Sequence, residues 1–347
     1  MRIPALIVGF GNISQGFASV LTKKAQYLRE TLGFEISVFG VVEVVNGRFE
    51  SALSKDGLDL DRLLRTKRQA GKVSAYPGAG GNSSTLELIR ESGAQIVLEA
   101  TPTNIKDGEP GLSHIRSALD AGMHVVTSNK GPLLFGLREL RNLARAKGVE
   151  FRYSAAVAGA LPVITTGCYS LVGCRVNSIE GILNGTTNYI LTEMVERDVG
   201  LQQALADAQR MGIAETDPRL DIEGYDTAFK LLIAANSIMN TDAKISDVGV
   251  SGIESITRET VRDSKRRGYA LKLIGRARRV DDGVEMKVAL EELPAGHPFY
   301  SVNGVWKAVM FDTDLLGEVL LLGGKSNPEL AAGAMLRDIV NIVHDTS

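Results

Sequence analysis

The middle of the chain holds a group of acidic residues that ends at a lysine. The stretch ETDPRLDIEGYDTAFK contains Glu215, Asp217, Asp221 and Asp226 and closes with Lys230. Carboxylates beside an ammonium group suit a substrate that carries both an amino group and a hydroxyl group, and the stretch contains no histidine. An enzyme that used this segment for proton transfer would therefore rely on lysine and not on histidine.

The residues after Gly224 have the apolar spacing of a helix. In a helix, Asp226 and Lys230 are four residues apart and lie side by side on one face. Burial lowers the pKa of such a lysine and a neighbouring carboxylate raises it, so the amine can exchange a proton near neutral pH if the effect of burial is the larger one. The alternative is an exposed ion pair, which contributes only about 0.3–0.5 kcal/mol to stability.

The composition is that of an ordinary globular protein and excludes several classes. From 347 residues, 23% of them charged, and a net charge of −2, we expect two domains and no nucleic-acid partner. The N-terminal residues lack a cationic leader with a long apolar region, and no apolar run approaches the roughly 18 residues of a membrane span. Cys168 and Cys174 fit neither a redox nor a zinc motif, so we predict a cytoplasmic protein without disulfides.

Near the N-terminus, an apolar strand is followed by a glycine turn and then by a helical pattern. The motif is Gly9-x-Gly11-x-x-Ser14, with Ser14 where a third glycine is usual. The first glycine permits a tight bend, the second lets the backbone approach a pyrophosphate, and the helix N-terminus offers free N–H groups to phosphates. The position of this motif between a strand and a helix predicts a dinucleotide-binding domain.

Strands and helices alternate through this part of the chain. The segments EISVFGVVEV, AQIVLEA and MHVVTSN predict three more buried strands, and helices are expected near 83–91, 112–121 and 133–147. This alternation predicts an α/β fold with a Rossmann-type, doubly wound parallel sheet. Ligands bind beyond the carboxyl ends of such strands. We therefore expect the loops that carry Thr101 and Lys130, each directly after a strand, to face the ligand.

Two residues near the end of the second strand bear on the choice of cofactor. Glu43 closes the predicted strand and could accept hydrogen bonds from the adenosine ribose, whereas Arg48 could bind a 2′-phosphate. Glu43 lies about 32 residues after Gly11, rather than the usual ~20. The alternative for Glu43 is a solvent-facing strand end. The choice between NAD and NADP stays open.

The rest of the chain predicts a second domain of helices and strands. Strands are expected at 269–280, 284–293 and 305–312, where valine, leucine and aromatic residues recur between glycine and proline. A final helix follows the turn at Gly323 and Gly324.

The acid–lysine segment and several other motifs resemble the homoserine dehydrogenase family. The resemblance covers nearly the whole chain and includes GILNGTTNYIL, SNKGP and the N-terminal glycine turn. Its longest pattern is Ala208-x3-Gly212, followed by Asp217-Pro218-x2-Asp221-Ile222-x-Gly224-x-Asp226-x3-Lys230.

The resemblance implies both a domain organisation and a reaction. The NAD(P)-binding domain would comprise 1–135 and 322–347, and an α+β substrate-binding and dimerisation domain would comprise 136–321. The reaction would be the NAD(P)-dependent interconversion of L-homoserine and L-aspartate 4-semialdehyde by hydride transfer, in threonine, methionine and isoleucine biosynthesis. The resemblance also implies a homodimer formed through the sheet of the second domain.

The resemblance further implies the roles of individual residues. Lys230 would donate the proton to the developing alkoxide, and Lys130 and Asp226 would share in catalysis. The substrate would contact Glu215, Asp221, Asp226 and Thr186. The cofactor would contact Gly9, Gly11, Asn12, Ile13, Ser14, Glu43, Thr101, Lys130 and Gly323.

The chain departs from the family pattern at several positions. Besides Ser14, the segment GGKSNPELAAG replaces the family's glycine-rich turn with a following threonine. Ser154 stands where many members have a glutamate at a monovalent-cation site, so we predict no metal, although the backbone oxygens of Val157 and Gly159 leave that question open. Because the chain stops at Ser347, we expect neither a regulatory domain nor a fused aspartate kinase.

Two other functions are compatible with a dinucleotide fold. A semialdehyde dehydrogenase would need a nucleophilic cysteine with an activating base, and Cys168 and Cys174 have no histidine nearby in the sequence. A non-catalytic dinucleotide sensor would bind the cofactor without turnover, and it would leave the acidic segment unexplained.

Overall fold

The computed structural model describes residues 1–78, 84–281, 283–324 and 327–346. The chain forms two compact units, Met1–Ala156 with Asn327–Ser347, and Val157–Ser326. The boundary lies some twenty residues after the predicted limit at 135, and the second change of unit lies a few residues after the predicted 321. The domain functions implied by the resemblance stay predictions.

The first unit alternates strands and helices over most of its length. Its elements are β1 (Arg2–Val8), α1 (Asn12–Glu30), β2 (Glu35–Val45), β3 (Arg48–Leu53), α2 (Leu60–Ala70), α3 (Thr85–Glu91), β4 (Ile96–Glu99), α4 (Gly111–Asp120), β5 (His124–Thr127), α5 (Lys130–Lys147), β6 (Phe151–Arg152) and, at the end of the chain, α12 (Pro328–Thr346).

The strands of the first unit form one six-stranded sheet in the order β3-β2-β1-β4-β5-β6. All neighbours pair in parallel except β2 and β3, which form an antiparallel hairpin at one edge. The order reverses between β1 and β4, which is the switch point where doubly wound sheets bind ligands. The predicted Rossmann-type sheet is confirmed, whereas the edge strand β3 was not predicted.

The last strand of this sheet explains the position of the unit boundary. Strand β6 pairs in parallel with β5, and Phe151 of β6 lies opposite Val125 of β5. Helix α5 is therefore the crossover that joins these two strands. Strands β1 and β4 are buried on both faces, as their continuous apolar sequence requires. Helix α12 contacts α1, so the end of the chain returns to the first sheet.

The second unit contains the remaining elements. These are α6 (Val163–Thr165), β7 (Val176–Ile182), α7 (Gly185–Glu196), α8 (Leu201–Arg210), α9 (Arg219–Ile222), α10 (Tyr225–Ile238), β8 (Val248–Val250), α11 (Arg258–Arg266), β9 (Ala270–Val280), β10 (Gly283–Leu293), β11 (Lys307–Thr313) and β12 (Gly317–Gly323).

The strands of the second unit form a largely antiparallel sheet in the order β12-β11-β7-β9-β10-β8. Only the short strand β8 pairs in parallel, with β10. Helices α7 and α10 pack on this sheet, and α10 contacts its three central strands β7, β9 and β10. The predicted strands at 269–280, 284–293 and 305–312 correspond to β9, β10 and β11, and the predicted α+β class is confirmed.

Candidate active site

The acid–lysine pair lies on the helix that the sequence predicts. The Asp226 and Lys230 side chains are 10% and 14% exposed, because α10 packs on the sheet with this part of the helix turned inward. Lys230 Nζ donates to Asp226 Oδ2 and also, at 3.0 Å, to the carbonyl of Leu183. The alternative of an exposed ion pair is therefore wrong, because both side chains are largely buried.

Asn184 connects the pair to a second carboxylate. Its Oδ1 accepts from the N–H of Thr187 at 2.9 Å and caps α7. Its Nδ2 donates to Asp221 at 2.6 Å and to Asp226 at 2.7 Å. Asn184 lies in the motif GILNGTTNYIL, but the sequence alone predicted no role for it. An asparagine directly before a helix is the signal that could have marked it.

A second buried amine, Lys307, belongs to the same region of the second unit. Lys307 begins β11, is 2% exposed, and donates from Nζ to the carbonyl of Ala158 at 2.8 Å. Burial, and to a lesser extent the charge of Lys230, lower the pKa of Lys307 to about 7, and the charge of Asp226 opposes the shift. No local pattern distinguishes this lysine from an exposed one at a strand end, so sequence reasoning missed it.

The two remaining predicted substrate residues are Thr186, at the start of α7, and Glu215, in the loop after α8. Thr186 Oγ1 donates to the carbonyl of Ile213 at 3.1 Å, and Gln209 donates to the carbonyl of Glu215 at 3.1 Å. The Glu215 side chain is exposed. The structure thus brings Asp221, Asp226 and Lys230 together, and the approach of Glu215 and Thr186 to a substrate stays a prediction.

Asp217 lies apart from the Asp221, Asp226 and Lys230 group. It pairs with Arg219 at 2.8 Å, on the exposed surface, and hydrogen bonds from Arg219 lower the pKa of Asp217 to about 2. The acidic segment is therefore divided between Asp217, which pairs within its own turn, and Asp221 and Asp226, which both accept from the amide of Asn184.

In the first unit, the glycine turn fits a dinucleotide. Gly9 has a φ of +90°, and a Cβ there would lie 2.6 Å from the carbonyl oxygen of Ala100, so only glycine fits. Gly11 precedes α1, and a Cβ there would lie more than 4 Å from every other atom of the described residues outside its own chain neighbours, which leaves room for a phosphate.

The start of α1 adds to this fit. In the part of the chain that the structure describes, no side chain caps α1, and its first turn carries no acid. The hydroxyl of Ser14 is buried and has no hydrogen-bond partner among these residues. Uncapped N–H groups at a helix N-terminus and a spare hydroxyl are the donors that a pyrophosphate accepts. The residues present therefore fit the pyrophosphate of a dinucleotide.

Glu99, at the end of β4, organises the two loops that follow β4 and β5. Its carboxylate accepts from the N–H of Thr101 at 3.0 Å, from Thr127 Oγ1 at 2.9 Å and from Asn129 Nδ2 at 3.4 Å. Burial raises the pKa of Glu99, and these hydrogen bonds oppose the increase. Asn129 in turn accepts from the N–H of Gly131 at 3.0 Å, so the network fixes the start of α5 at Lys130. Sequence reasoning named Thr101 and Lys130 but missed Glu99.

The predicted place of Glu43 needs correction. Strand β2 continues to Val45 and pairs with β3, so Glu43 does not end the strand. Its carboxylate accepts from Lys67 Nζ at 2.6 Å and from the N–H of Val73 at 2.9 Å. Arg48 is exposed at the start of β3. A role of Glu43 in ribose binding stays a prediction, and a ribose would have to share an already bonded carboxylate.

Other predicted residues have simple surroundings. The N–H of Ser154 donates to Asp338 Oδ2 at 2.9 Å, and Cys168 Sγ lies 3.7 Å from the carbonyl of Ser237. Gly323 ends β12. Within the described ranges, no group of three or more His, Cys, Asp or Glu side chains could hold a metal ion, and no helix has the length and apolar character to cross a membrane.

Comparison with known proteins identifies the family. The family model described as "Homoserine dehydrogenase" matches residues 162–340. A homoserine dehydrogenase of Methanocaldococcus jannaschii is 42% identical over 341 residues, which is 98% of both chains. An NAD(+)-dependent homoserine dehydrogenase of Pseudomonas canavaninivorans is 36% identical over 97% of this chain and 95% of that protein.

A solved structure agrees with these relatives. The crystal structure of a putative homoserine dehydrogenase from Archaeoglobus fulgidus has a TM-score of 0.88 and 36% identity, and the match covers 98% of this chain and 99% of that one. The predicted NAD(P)-dependent oxidoreductase is thereby confirmed over a semialdehyde dehydrogenase or a non-catalytic sensor. The chain belongs to the homoserine dehydrogenase family.

Proposed function

We propose that the chain interconverts L-homoserine and L-aspartate 4-semialdehyde, and that Lys230 handles the proton. One observation carries the assignment of the residue: Lys230 is held against Asp226 and the Leu183 carbonyl in a largely buried position. In the oxidative direction, a hydride leaves the carbon that bears the hydroxyl, and the hydroxyl proton passes to the neutral amine of Lys230. In the reductive direction, the ammonium of Lys230 returns the proton to the alkoxide oxygen.

The carboxylates around Lys230 suit the rest of the substrate. L-homoserine carries an ammonium group and a hydroxyl, and both are donors to carboxylate oxygens. We assign Asp226 and Glu215 to these groups, Asp221 to their support and Thr186 to a further substrate contact. Asn184 holds Asp221 and Asp226 in place through its amide, which donates to both carboxylates.

We assign cofactor binding to the first unit. A bound NAD or NADP supplies the acceptor for the hydride. The N-terminus of α1 and the glycine turn are expected to hold the phosphates, and Thr101 and Lys130, fixed through Glu99, to hold the nicotinamide end. The residues that we assign to the cofactor are Gly9, Gly11, Asn12, Ile13, Ser14, Thr101, Lys130 and, in the second unit, Gly323. We assign to Lys130 a further role in catalysis.

Initial rates test the proposal. We expect purified protein to reduce NAD or NADP only when L-homoserine is present, and the two rates give the cofactor preference. Lys230→Ala should lower turnover by about 10²–10⁴-fold, the typical contribution of general acid–base catalysis. Lys244→Ala, which removes an exposed lysine of the same unit, is the control. An unchanged rate in Lys230→Ala contradicts the role of Lys230, and the absence of turnover in the unmodified protein contradicts the function.

We also propose that the protein is a cytoplasmic homodimer that pairs through the edge of the second sheet. The edge strand β12 exposes Leu320 and Leu322 on one face, and the turn before it exposes Leu315 and Leu316. Exposed apolar rows on an edge strand promote pairing with another chain unless they are covered. A second copy of the same chain, related by a two-fold axis, would cover both rows at once.

A further inference from the structure

The sheet places Lys307 beside a residue that Lys230 contacts. In the pairing of β11 with β7, Ala308 is opposite Ile182. Lys307 therefore lies beside Leu183, the residue whose carbonyl accepts from Lys230. Across the other edge of β11, Lys307 is opposite Gly323 of β12.

The ammonium of Lys307 holds a strained turn. Its Nζ donates to the carbonyl of Ala158. Ala158 has a φ of +58°, and the next residue, Gly159, has a φ of +62°. A left-handed backbone is unfavourable for a residue with a Cβ atom, so contacts elsewhere must hold Ala158 in it. A Cβ at Gly159 would lie 3.6 Å from the Nζ atom of Lys307, so both residues of this turn lie beside the Lys307 head group.

The charge of Lys307 can change in the neutral pH range. The pKa of Lys307 is lowered to about 7, mainly by burial. The charged groups that act on it are Lys230 and Asp226, both on α10. Its backbone neighbours on the turn and on β12, Ala158 and Gly323, do not titrate.

We propose that Lys307 is a positioning residue for the reaction at Lys230: its ammonium fixes the Ala158 turn and adds positive charge beside the Lys230–Asp226 pair. This inference rests on the proposed function of Lys230. A positive charge near the reacting oxygen stabilises a developing alkoxide, so the protonated form of Lys307 is the one that promotes turnover. Lys307 acts through its neighbours and does not itself transfer the proton.

The pH dependence of two matched variants tests the inference. The rate ratio of unmodified protein to Lys307→Gln should be largest below pH 7, up to about 100-fold, and should decrease as the pH rises through 7. Lys272→Gln is the control, because Lys272 is 3% exposed and donates to the carbonyl of Val302 at 2.5 Å. Burial lowers the pKa of Lys272 to about 8, but the charge that acts on it is that of Glu196. Its ratio should not change with pH.

Two results overturn the inference: a ratio for Lys307→Gln that does not change with pH, or an equal change in the Lys272→Gln control. If Lys307→Gln does not fold, Lys307→Arg decides, since arginine keeps its charge. Its rate relative to the unmodified protein should increase as the pH rises through 7, and a constant value overturns the inference. A failure of the proposed function is distinct, because unmodified protein would then show no homoserine turnover at any pH.

Discussion

The side-chain amide of Asn184 lies 2.7 Å from Oδ2 of Asp226, the same oxygen that accepts from Lys230. Asn184 therefore shares one carboxylate oxygen with the proposed proton donor. Because its amide nitrogen also donates to Asp221 at 2.6 Å, a single neutral side chain connects two acids that would otherwise repel each other. The cap of α7 fixes the amide in this orientation.

We predict that Asn184→Ser keeps the cap and loses the connection. A serine can still cap α7, but it is too short to donate to Asp221 and Asp226 together. A lost hydrogen bond to a charged group costs about 1.5–3 kcal/mol, so kcat/KM for L-homoserine should decrease by about 10- to 100-fold. Thr257→Ala, which removes the cap of α11, should lower the melting temperature and leave kcat/KM unchanged. Wild-type kinetics in Asn184→Ser would contradict the bridging role.

Two alanine substitutions in the glycine turn should separate protein stability from cofactor binding. Gly9→Ala should lower the melting temperature, since its Cβ would lie 2.6 Å from the Ala100 carbonyl in a left-handed backbone. Gly11→Ala, at an open position, should leave the melting temperature near that of the unmodified protein and weaken cofactor binding, measured by calorimetry. Unweakened binding in a folded Gly11→Ala protein would show that the phosphates lie elsewhere.

Glu99→Gln should affect both stability and the cofactor. The amide would place N–H donors against the donors of Thr101 or Thr127, and a buried polar group without its partner costs about 1–3 kcal/mol. We therefore expect a lower free energy of unfolding and a raised KM for the cofactor. Glu139→Gln removes a surface partner of Arg116 and should change neither quantity measurably. An unchanged KM for the cofactor in Glu99→Gln would contradict a role of Glu99 in positioning Lys130.

Stability in acid should depend on His114. Burial lowers the pKa of His114 to about 4, against the opposing charge of Glu109. Between pH 6.5 and 4 the unfolded chain binds a proton at this residue that the folded chain does not, so the folded state loses stability as the pH falls. Relative to His114→Gln, the unmodified protein should lose at most about 3 kcal/mol over this range. Urea unfolding at pH 7 and 4.5 measures the difference, and the exposed His344 provides the control variant His344→Gln. An equal loss in all three proteins refutes the prediction.

The proposed homodimer depends on β12. Leu322→Glu places a charge in the exposed apolar row, and we expect it to convert the dimer to a monomer in light scattering after gel filtration. Val280→Glu changes a residue that is also exposed, at the end of β9, and should leave the dimer intact. A monomeric unmodified protein, or a dimeric Leu322→Glu variant, would contradict this interface.

The sequence by itself determined the elements that depend on neighbours along the chain. An apolar run, a glycine turn and a helical pattern predicted β1, the Gly9–Gly11 turn and α1, because strand burial, tight bends and helix periodicity are local properties. The four-residue spacing in the same way placed Asp226 and Lys230 on one face of α10.

Only the tertiary structure decided which distant residues share the site and which conformations they take. Lys307 meets Ala158 across 149 residues of sequence, and Asn184 meets Asp226 across 42. A lysine or an asparagine at an element end is equally compatible with solvent until the packing of β11 and α10 buries it. Glu43 is a further example: it was predicted to end a strand, but it lies within β2, and its carboxylate accepts from Lys67 of α2 and from the N–H of Val73. Burial of a polar side chain depends on which elements pack together, and local spacing does not specify that.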